Sequence, residues 1–296
     1  MPKKYIVYDN DLKFKKLRKI DVNNAIFHNA DVEHRYHNVD LDTIDYRLKE
    51  CVNNNFSYLD MSHLNLITFP NILQWKHFDK VDLVKCLFIN NNELQSTEFL
   101  SYFKNLKVLD ISCNNISELA YLSPSLIELV CHGNKLVSIQ NHLNITKLDC
   151  SENQISSLGD CPNLKDLLVD NNNLTRLRSF PNAHRIVIKN NPITVIDKQL
   201  TLAYLDCSST NICGKLNDMP NLQHLICNNT KIDDINNLTK LISLEILGSA
   251  ITKVIYIPTL KDLLYKNGDS IALSSRYIIE EHVTEHDNSY VRFQCT

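Results

Sequence analysis

One short pattern of side chains returns nine times between Leu106 and Gly268, about once every 19 residues. It reads Leu-x-x-Leu-x-(Cys/Ile/Val)-x-x-Asn-x-(Ile/Leu)-x-x-(Leu/Ile), and clear copies begin at Leu106, Ile145 and Leu164. A fixed period of this length is typical of a solenoid, in which each repeat stacks only on its neighbours. The repeat region is therefore predicted to be one continuous unit, although a chain of 296 residues is long enough for two ordinary domains.

Each copy holds a stretch in which apolar and polar residues alternate, and this alternation predicts a strand with the apolar side chains facing the core. The chain must turn after the strand, and an Asn amide offers both donors and an acceptor to the backbone groups that the turn exposes. Asn171, one position before this turn slot, is expected to be solvated. The inward slot forms a structural ladder of Asn92, Asn114, Asn134, Asn153, Asn172, Asn191, Thr210 and Thr230.

These repeats resemble the leucine-rich repeat family over roughly residues 56–271, and recurrent prolines between copies resemble its short-repeat class. The Asn-rich style with Cys in the core looks like the leucine-rich repeat proteins of giant DNA viruses that infect amoebae. The resemblance implies a horseshoe with one concave parallel sheet, here of ten or eleven strands. Only five residues separate Leu158 from Leu164, too few for an ordinary helix, so the convex side is expected to be extended or 3-10.

The two ends of the chain lack the repeat. Residues 1–55 are interpreted as an N-terminal cap segment with a helix over Leu41–Val52 and Asp40 as its N-cap, and residues 272–296 as a C-terminal cap or tail. The first copies are irregular, with a short helix predicted over Pro70–Phe78 and a helical turn over Thr97–Phe103.

Four of the ten cysteines occupy the repeat slot that holds Ile or Val in other copies, which predicts small, reduced core residues rather than disulfides: Cys131, Cys150, Cys207 and Cys227. The sequence has no signal-peptide pattern and no apolar run long enough to span a membrane. A cytoplasmic protein that is not secreted is therefore expected, in the host cytoplasm or the virion if it is viral. The net charge of -3 argues against a nucleic-acid partner.

The sequence carries little that suggests catalysis. His282-Val-Thr-Glu285-His286 matches a zinc-peptidase pattern, but a solvated terminal segment is the favoured interpretation because a third ligand is missing. His28, His34 and His37, and the basic run Lys13–Lys19, are interpreted as solvated surface. We therefore expect no catalytic residues, no metal and no cofactor.

The concave face remains as the candidate site. Strand residues that point away from the core should line it in columns, in which acidic and aliphatic residues nearly alternate. Strands favour aliphatic residues in any case, yet an exposed face this apolar is typical of an interaction site. The proposed partner-binding residues are Phe88, Val108, Asp110, Val130, Asp149, Leu168, Val187, Tyr204, Asp206, Ile226 and Glu245.

The preferred hypothesis is a non-enzymatic scaffold that binds a protein partner across this face. Reversing the charge of Asp110, Asp149 and Asp206 is expected to leave folding nearly intact, because exposed charges contribute little individually. Two alternatives stay open: an adaptor that recruits an enzyme through its N-terminal segment, and a self-associating structural component of a virion. The oligomeric state and the partner's identity are not predicted.

Overall fold

A computed structural model of the chain describes residues 41–294, apart from residues 217, 236, 267, 268, 270 and 286. Its main feature is a solenoid with one large sheet, to which each repeat contributes one short parallel strand. The solenoid and the predicted number of strands are confirmed. The eleven parallel strands are Tyr58–Asp60, Cys86–Phe88, Val108–Asp110, Glu128–Val130, Lys147–Asp149, Asp166–Leu168, Arg185–Val187, Tyr204–Asp206, His224–Ile226, Ser243–Glu245 and Asp262–Lys266.

The core lies behind this sheet and is built from the inward residues of the pattern. In the strand Lys147–Asp149, Leu148 is 1% exposed, and Cys150 directly after the strand is 0% exposed. Leu129 and Leu167, in the strands on either side, are equally buried and stand in register with Leu148. Each such leucine stabilises the fold by roughly 1.5–3 kcal/mol through its burial. Because every repeat supplies the same positions, the core is one continuous cluster along the solenoid.

The turns after the first ten parallel strands are made in the left-handed region. One residue per turn has φ between 51° and 65°, directly before the inward slot. Left-handed backbone is uncommon for residues with a Cβ, and Asn and Gly adopt it most readily. The series is His63, Asn91, Cys113, Gly133, Glu152, Asn171, Asn190, Ser209, Asn229 and Gly248.

The expectation that Asn171 is merely solvated is wrong. This residue is half-buried and left-handed, with φ of 54°. Its Nδ2 donates to Asp170 Oδ2 at 2.8 Å, and its Oδ1 accepts from Asn190 Nδ2 in the next turn at 2.8 Å. Asn171 therefore carries structural constraints of its own.

The inward asparagines bond to the backbone of two successive turns. Asn172 Oδ1 accepts from the Ile155 N–H in the preceding turn at 2.8 Å. Its Nδ2 lies within hydrogen-bond distance of three carbonyl oxygens, those of Cys150 at 3.0 Å, Val169 at 3.1 Å and Asp170 at 3.1 Å. The same arrangement recurs at Asn92, Asn114, Asn134, Asn153 and Asn191.

Two threonines occupy the slot in later repeats, and each makes fewer hydrogen bonds than an asparagine there. Thr210 Oγ1 donates to Cys207 O at 2.7 Å, and Thr230 Oγ1 donates to Cys227 O at 2.8 Å. Both bonds stay within one turn, because the threonine side chain is shorter than that of Asn. At the end of a neighbouring strand, Asn228 makes a different cross-turn bond, in which its Oδ1 accepts from Leu247 N in the following turn at 2.7 Å.

The convex side is extended in the later repeats and 3-10 in the first ones, as predicted. Short parallel strand pairs form there: Ser138–Ile139 with Ser157–Leu158, Arg176–Leu177 with Val195–Ile196, Cys213–Lys215 with Lys231–Asp234, and Lys253–Val254 with Ala272–Leu273. The 3-10 helices are Ile72–Gln74, Phe78–Leu83 and Glu98–Tyr102.

The helix predicted near the N-terminus is present as α1, Leu41–Asn53, and it lies against the first strand of the sheet. Its proposed N-cap, Asp40, lies outside the described residues. The single short helix expected over Pro70–Phe78 is wrong. The chain forms a 3-10 turn over Ile72–Gln74, where Asn71 Oδ1 accepts from Leu73 N, and then becomes extended at Trp75.

A β-hairpin completes the sheet at its C-terminal end. Its inner strand, Asn288–Phe293, pairs antiparallel with the last repeat strand, and its outer strand, Ile279–Glu285, pairs with the inner one. Val291 and Phe293 are buried against the last repeat, where the Phe293 ring stacks on Tyr277 at a centroid distance of 4.2 Å. The inner strand therefore closes the end of the core.

The four repeat cysteines are buried with free thiols, which confirms the core assignment. Burial raises the pKa of Cys227 to about 12 and raises the pKa of Cys131, Cys150 and Cys207 well above the ordinary thiol value. By contrast, Cys113 and Cys213 are exposed.

Candidate functional site

The candidate site is the concave face, meaning the side of the large sheet that points away from the core. Its strands stack in register, so equivalent residues form continuous columns with strand spacing of ~4.8 Å. Val108 and Tyr204 stand in a flanking column, and the other proposed binding residues stand in the central column. The central column reads Asp60, Phe88, Asp110, Val130, Asp149, Leu168, Val187, Asp206, Ile226, Glu245 and Leu264.

The expectation that this whole column is exposed is wrong. Its middle part is buried, namely Asp149, Leu168, Val187, Asp206 and Ile226. In the flanking column Val108 is also buried, whereas Tyr204 is half-buried. Side chains on strands ~4.8 Å apart cover one another, and long polar side chains in adjacent columns cover them further. The half-buried members lie toward the ends: Asp60, Phe88, Asp110, Val130, Glu245 and Leu264.

The aspartates of the central column have a structural role that sequence reasoning missed. Asp149 Oδ1 accepts from both the backbone N–H of Ser151, at 3.1 Å, and its hydroxyl, at 2.5 Å. Such a bond to a group two residues ahead is an Asx turn, which holds the chain as it leaves the strand. The pairs Asp60–Ser62 and Asp110–Ser112 repeat both bonds, and Asp206–Ser208 repeats the backbone bond. In the sequence, a recurrent Asp-x-Ser at the end of the strand is the pattern that indicates these Asx turns.

Burial also changes how these carboxyls titrate. Desolvation raises the pKa of Asp149 and Asp206, and the hydrogen bonds from their serine partners only partly oppose it. Burial raises the pKa of Glu245 in the same way, against the hydrogen bond from Asn228. The column therefore has less accessible negative charge than its sequence suggests.

Polar groups in the flanking column are largely engaged with one another. Lys147 Nζ lies 2.6 Å from Glu128 on the neighbouring strand, and the Arg185 guanidinium lies 5.0 Å from the centroid of the Tyr204 ring. His224 Nδ1 is 3.1 Å from Ser243 Oγ, and burial lowers the pKa of this histidine. These contacts pair neighbouring side chains across the strands and give the face a mixed charge.

A second asparagine ladder runs along the edge where the strands begin, and it also escaped the sequence analysis. Asn144 Nδ2 donates to Pro124 O in the preceding turn at 2.8 Å, and Asn163 Nδ2 donates to Leu143 O at 2.8 Å. The series continues through Asn182, Thr201 and Asn221. The spacing of about 19 residues outside the strands would have revealed it. A shallow groove lies beside it, lined by Ser125, Ile127, Asn144, Thr146, Asn163, Lys165 and Asn182.

The zinc-peptidase pattern does not form the helix that such a site needs. His282 and Glu285 belong to the outer hairpin strand, and His286 lies outside the described residues. His28, His34, His37 and the basic run Lys13–Lys19 also lie outside them. Within the described part of the chain, no three His, Cys, Asp or Glu side chains are grouped so that they could hold a metal ion. No helix among the described residues is long and apolar enough to cross a bilayer.

Comparison with known proteins rests on structure, because no protein-family model and no curated protein matches the sequence. The leucine-rich repeat domain of APL1B superposes with a TM-score of 0.61 at 17% identity, covering 78% of this chain and 74% of that one. The chain has the leucine-rich repeat fold. The LRIM1/APL1C complex gives a TM-score of 0.53 at 18% identity, and the TLR13–ssRNA13 complex gives 0.52 at 15% identity. The matches cover 73% and 70% of this chain, and 41% and 38% of those chains, respectively.

Proposed function

We propose that this leucine-rich repeat chain is a non-enzymatic scaffold that binds a protein partner across its concave face. The observation that carries the proposal is the central column, in which carboxylates and apolar side chains stand in register across eleven strands. A regular array of this kind buries apolar area against a partner while its charges select the partner's polar groups. The comparison with the LRIM1/APL1C complex supports assembly with a protein.

The half-buried members of the column lie at its two ends, and the contact region is placed on the first four strands because two apolar side chains alternate there with two carboxylates. Phe88 and Val130 are half-buried apolar side chains in register with Asp60 and Asp110, which are also half-buried. Apolar anchors flanked by charge are typical of the central contacts of protein interfaces. The carboxylates of the column repel a phosphate backbone, which argues against a single-stranded RNA such as the one in the TLR13 complex.

The experiment compares two valines of the same repeat. Val130 lies in the central column, whereas Val137 is 53% exposed directly before the convex strand Ser138–Ile139. The tagged wild-type chain and its Val130→Lys and Val137→Lys variants are used as baits in lysate of the native cell, and bound proteins are quantified by mass spectrometry. We expect a partner that Val137→Lys retains and Val130→Lys loses, with all three chains giving the same circular dichroism spectrum.

If Val130→Lys reduces the melting temperature, the same assay is repeated with truncated side chains. Phe88→Ala is then the test variant, and Leu83→Ala is its control. Leu83 is 52% exposed and lies in a 3-10 helix outside the column. A partner that every folded variant retains equally would contradict binding at the concave face. The N-terminal segment, residues 1–55, would then be the next region to test.

A further inference from the structure

The two ends of the large sheet are closed differently. At the first end the edge strand Tyr58–Asp60 has three residues, and α1 packs beside it. At the other end the edge is the outer hairpin strand Ile279–Glu285, which at seven residues is the longest strand of the sheet. One of its edges pairs with the inner strand, and no residue in the described part of the chain pairs with the other.

The outer strand is not needed to cover the core. Ser289, Val291 and Phe293 on the inner strand are buried and close the last repeat. On the outer strand, Thr284 pairs with Ser289 and His282 pairs with Val291. Both of these outer-strand residues are exposed. The outer strand therefore extends the sheet beyond the hydrophobic core and, past a register shift between Ile279 and Glu281, leaves a row of backbone donors and acceptors at its free edge. Such an edge is a template for a further strand.

The chemistry of the edge indicates which strand it fits. Between Glu280 and Asp287 the sequence holds four carboxylates and no Lys or Arg, and one of the four, Glu281, is paired with Arg292 of the inner strand at 3.6 Å. Pairing with the same strand of a second copy would place like charges together, which disfavours self-association. An extended segment with Lys or Arg on alternate positions would instead meet complementary charge, and the exposed Ile278 and Ile279 would contact its apolar residues.

We propose that the free edge of the outer strand Ile279–Glu285 binds an extended basic peptide segment of a partner by adding it to the sheet as a further strand. Main-chain hydrogen bonds supply affinity in this mode, and the side-chain charges supply selectivity. The site is separate from the first four strands of the concave face, so it adds a second contact to the proposed scaffold.

The test uses the full chain and a defined probe, the fluorescently labelled peptide Thr-Lys-Val-Lys-Val-Lys-Thr with blocked ends, titrated by fluorescence anisotropy. One analogue carries Glu in place of each Lys, and another is N-methylated at every Lys and Val, which keeps the charge but removes backbone donors. The protein variants are Glu280→Lys and the milder Glu280→Gln. Their control is Glu118→Lys, a reversal at an exposed residue in a connecting segment between strands.

We expect the Lys peptide to bind the wild type and the Glu118→Lys variant equally, and to bind Glu280→Lys more weakly by about tenfold. Glu280→Gln should fall between them, and both peptide analogues should fail to bind. Hydrogen exchange should slow within Ile279–Glu285 when the Lys peptide binds. Val130→Lys should leave this binding unchanged, which separates the edge site from the concave-face site.

Three results would overturn the inference. The Lys peptide fails to bind the wild type, or the N-methylated analogue binds as well as the parent, which shows charge attraction without strand addition. Alternatively, sedimentation shows the chain dimerising through the outer strand, and the occupant is then a second copy.

Discussion

Replacing Asn172 by Ala tests how the inward asparagine ladder holds successive repeats together. The amide of Asn172 is 6% exposed and bonds to the backbone of its own turn and of the preceding turn. Asn173, the next residue, is exposed, and the bond that the structure gives it is from its backbone N–H to Ile155 O at 2.9 Å. The variant Asn173→Ala is therefore a matched control with the same chemical change.

The expected magnitude follows from what the truncation leaves unpaired. Each of the three carbonyls that accept from Asn172 keeps another donor: Cys150 O keeps Asn153 Nδ2, Val169 O keeps Asn191 Nδ2, and Asp170 O keeps the Glu152 N–H. The Ile155 N–H, in contrast, loses its acceptor inside the core. One buried unpaired donor costs roughly 1–3 kcal/mol, whereas a surface truncation stays within about 0.5 kcal/mol.

The assay is urea unfolding followed by circular dichroism, combined with hydrogen exchange resolved at single amides. Long solenoids can unfold in segments, so the exchange measurement supplies the local readout that a global midpoint lacks. Asn172→Ala should lower the urea midpoint and speed exchange at the Ile155 amide, and Asn173→Ala should do neither. Equal midpoints together with unchanged exchange at Ile155 would refute the ladder argument.

Three further measurements probe the column carboxyls, the core thiols and the convex turns. Burial raises the pKa of Asp149 in the folded state. The stability that this shift contributes to the fold is therefore fully present below the unfolded-state pKa of about 3.9, and it is lost as the pH rises through the folded-state pKa. Asp149→Asn should therefore have a higher melting temperature than the wild type at pH 7, and the difference in melting temperature should shrink toward pH 4. A difference that does not change with pH would contradict this. Native thiol labelling read by mass spectrometry should be fast at Cys113 and Cys213 and slow at the four repeat cysteines until urea is added; rapid labelling of any of the four would disprove their burial. Gly159→Ala should cost about 1–3 kcal/mol by overpacking, because its Cβ would lie 2.4 Å from the backbone N of Asn141; an unchanged urea midpoint would show that the turn can relax.

The solenoid, the strands and their register could be predicted because they depend on one repeated pattern. A leucine equivalent to Leu148 recurs at the same slot in neighbouring copies. A strand assigned wrongly from the sequence of one repeat is therefore corrected by the equivalent positions of its neighbours. The ends of the chain lack this redundancy. Without a period, the hairpin formed by Ile279–Glu285 and Asn288–Phe293 could be expected only as a terminal cap of unspecified structure.

The state of the concave face could not be predicted, because alternation says which way a side chain points and not how much water reaches it. Asp149 and Asp110 occupy the same column and make the same Asx turn, yet the first is buried and the second is half-buried. The edge ladder was missed for a related reason. An asparagine such as Asn163 in a connecting segment has the composition of a solvated loop, and only its cross-turn bond to Leu143 O shows a structural role.

These findings change how binding at the concave face must be tested. Lysine at Asp149 or Asp206 would remove the acceptor of an Asx turn and bury a cation, so that lost partner recovery would reflect lost folding. A substitution in this column can leave folding intact only where the side chain is accessible and makes no hydrogen bond that holds a turn. Charge reversal is therefore not neutral for folding at every aspartate of the column. Val130 and Phe88 meet both conditions, since their side chains are half-buried and apolar. A test of the proposed partner binding is therefore separable from a loss of stability at these apolar positions and inseparable from it at the buried aspartates.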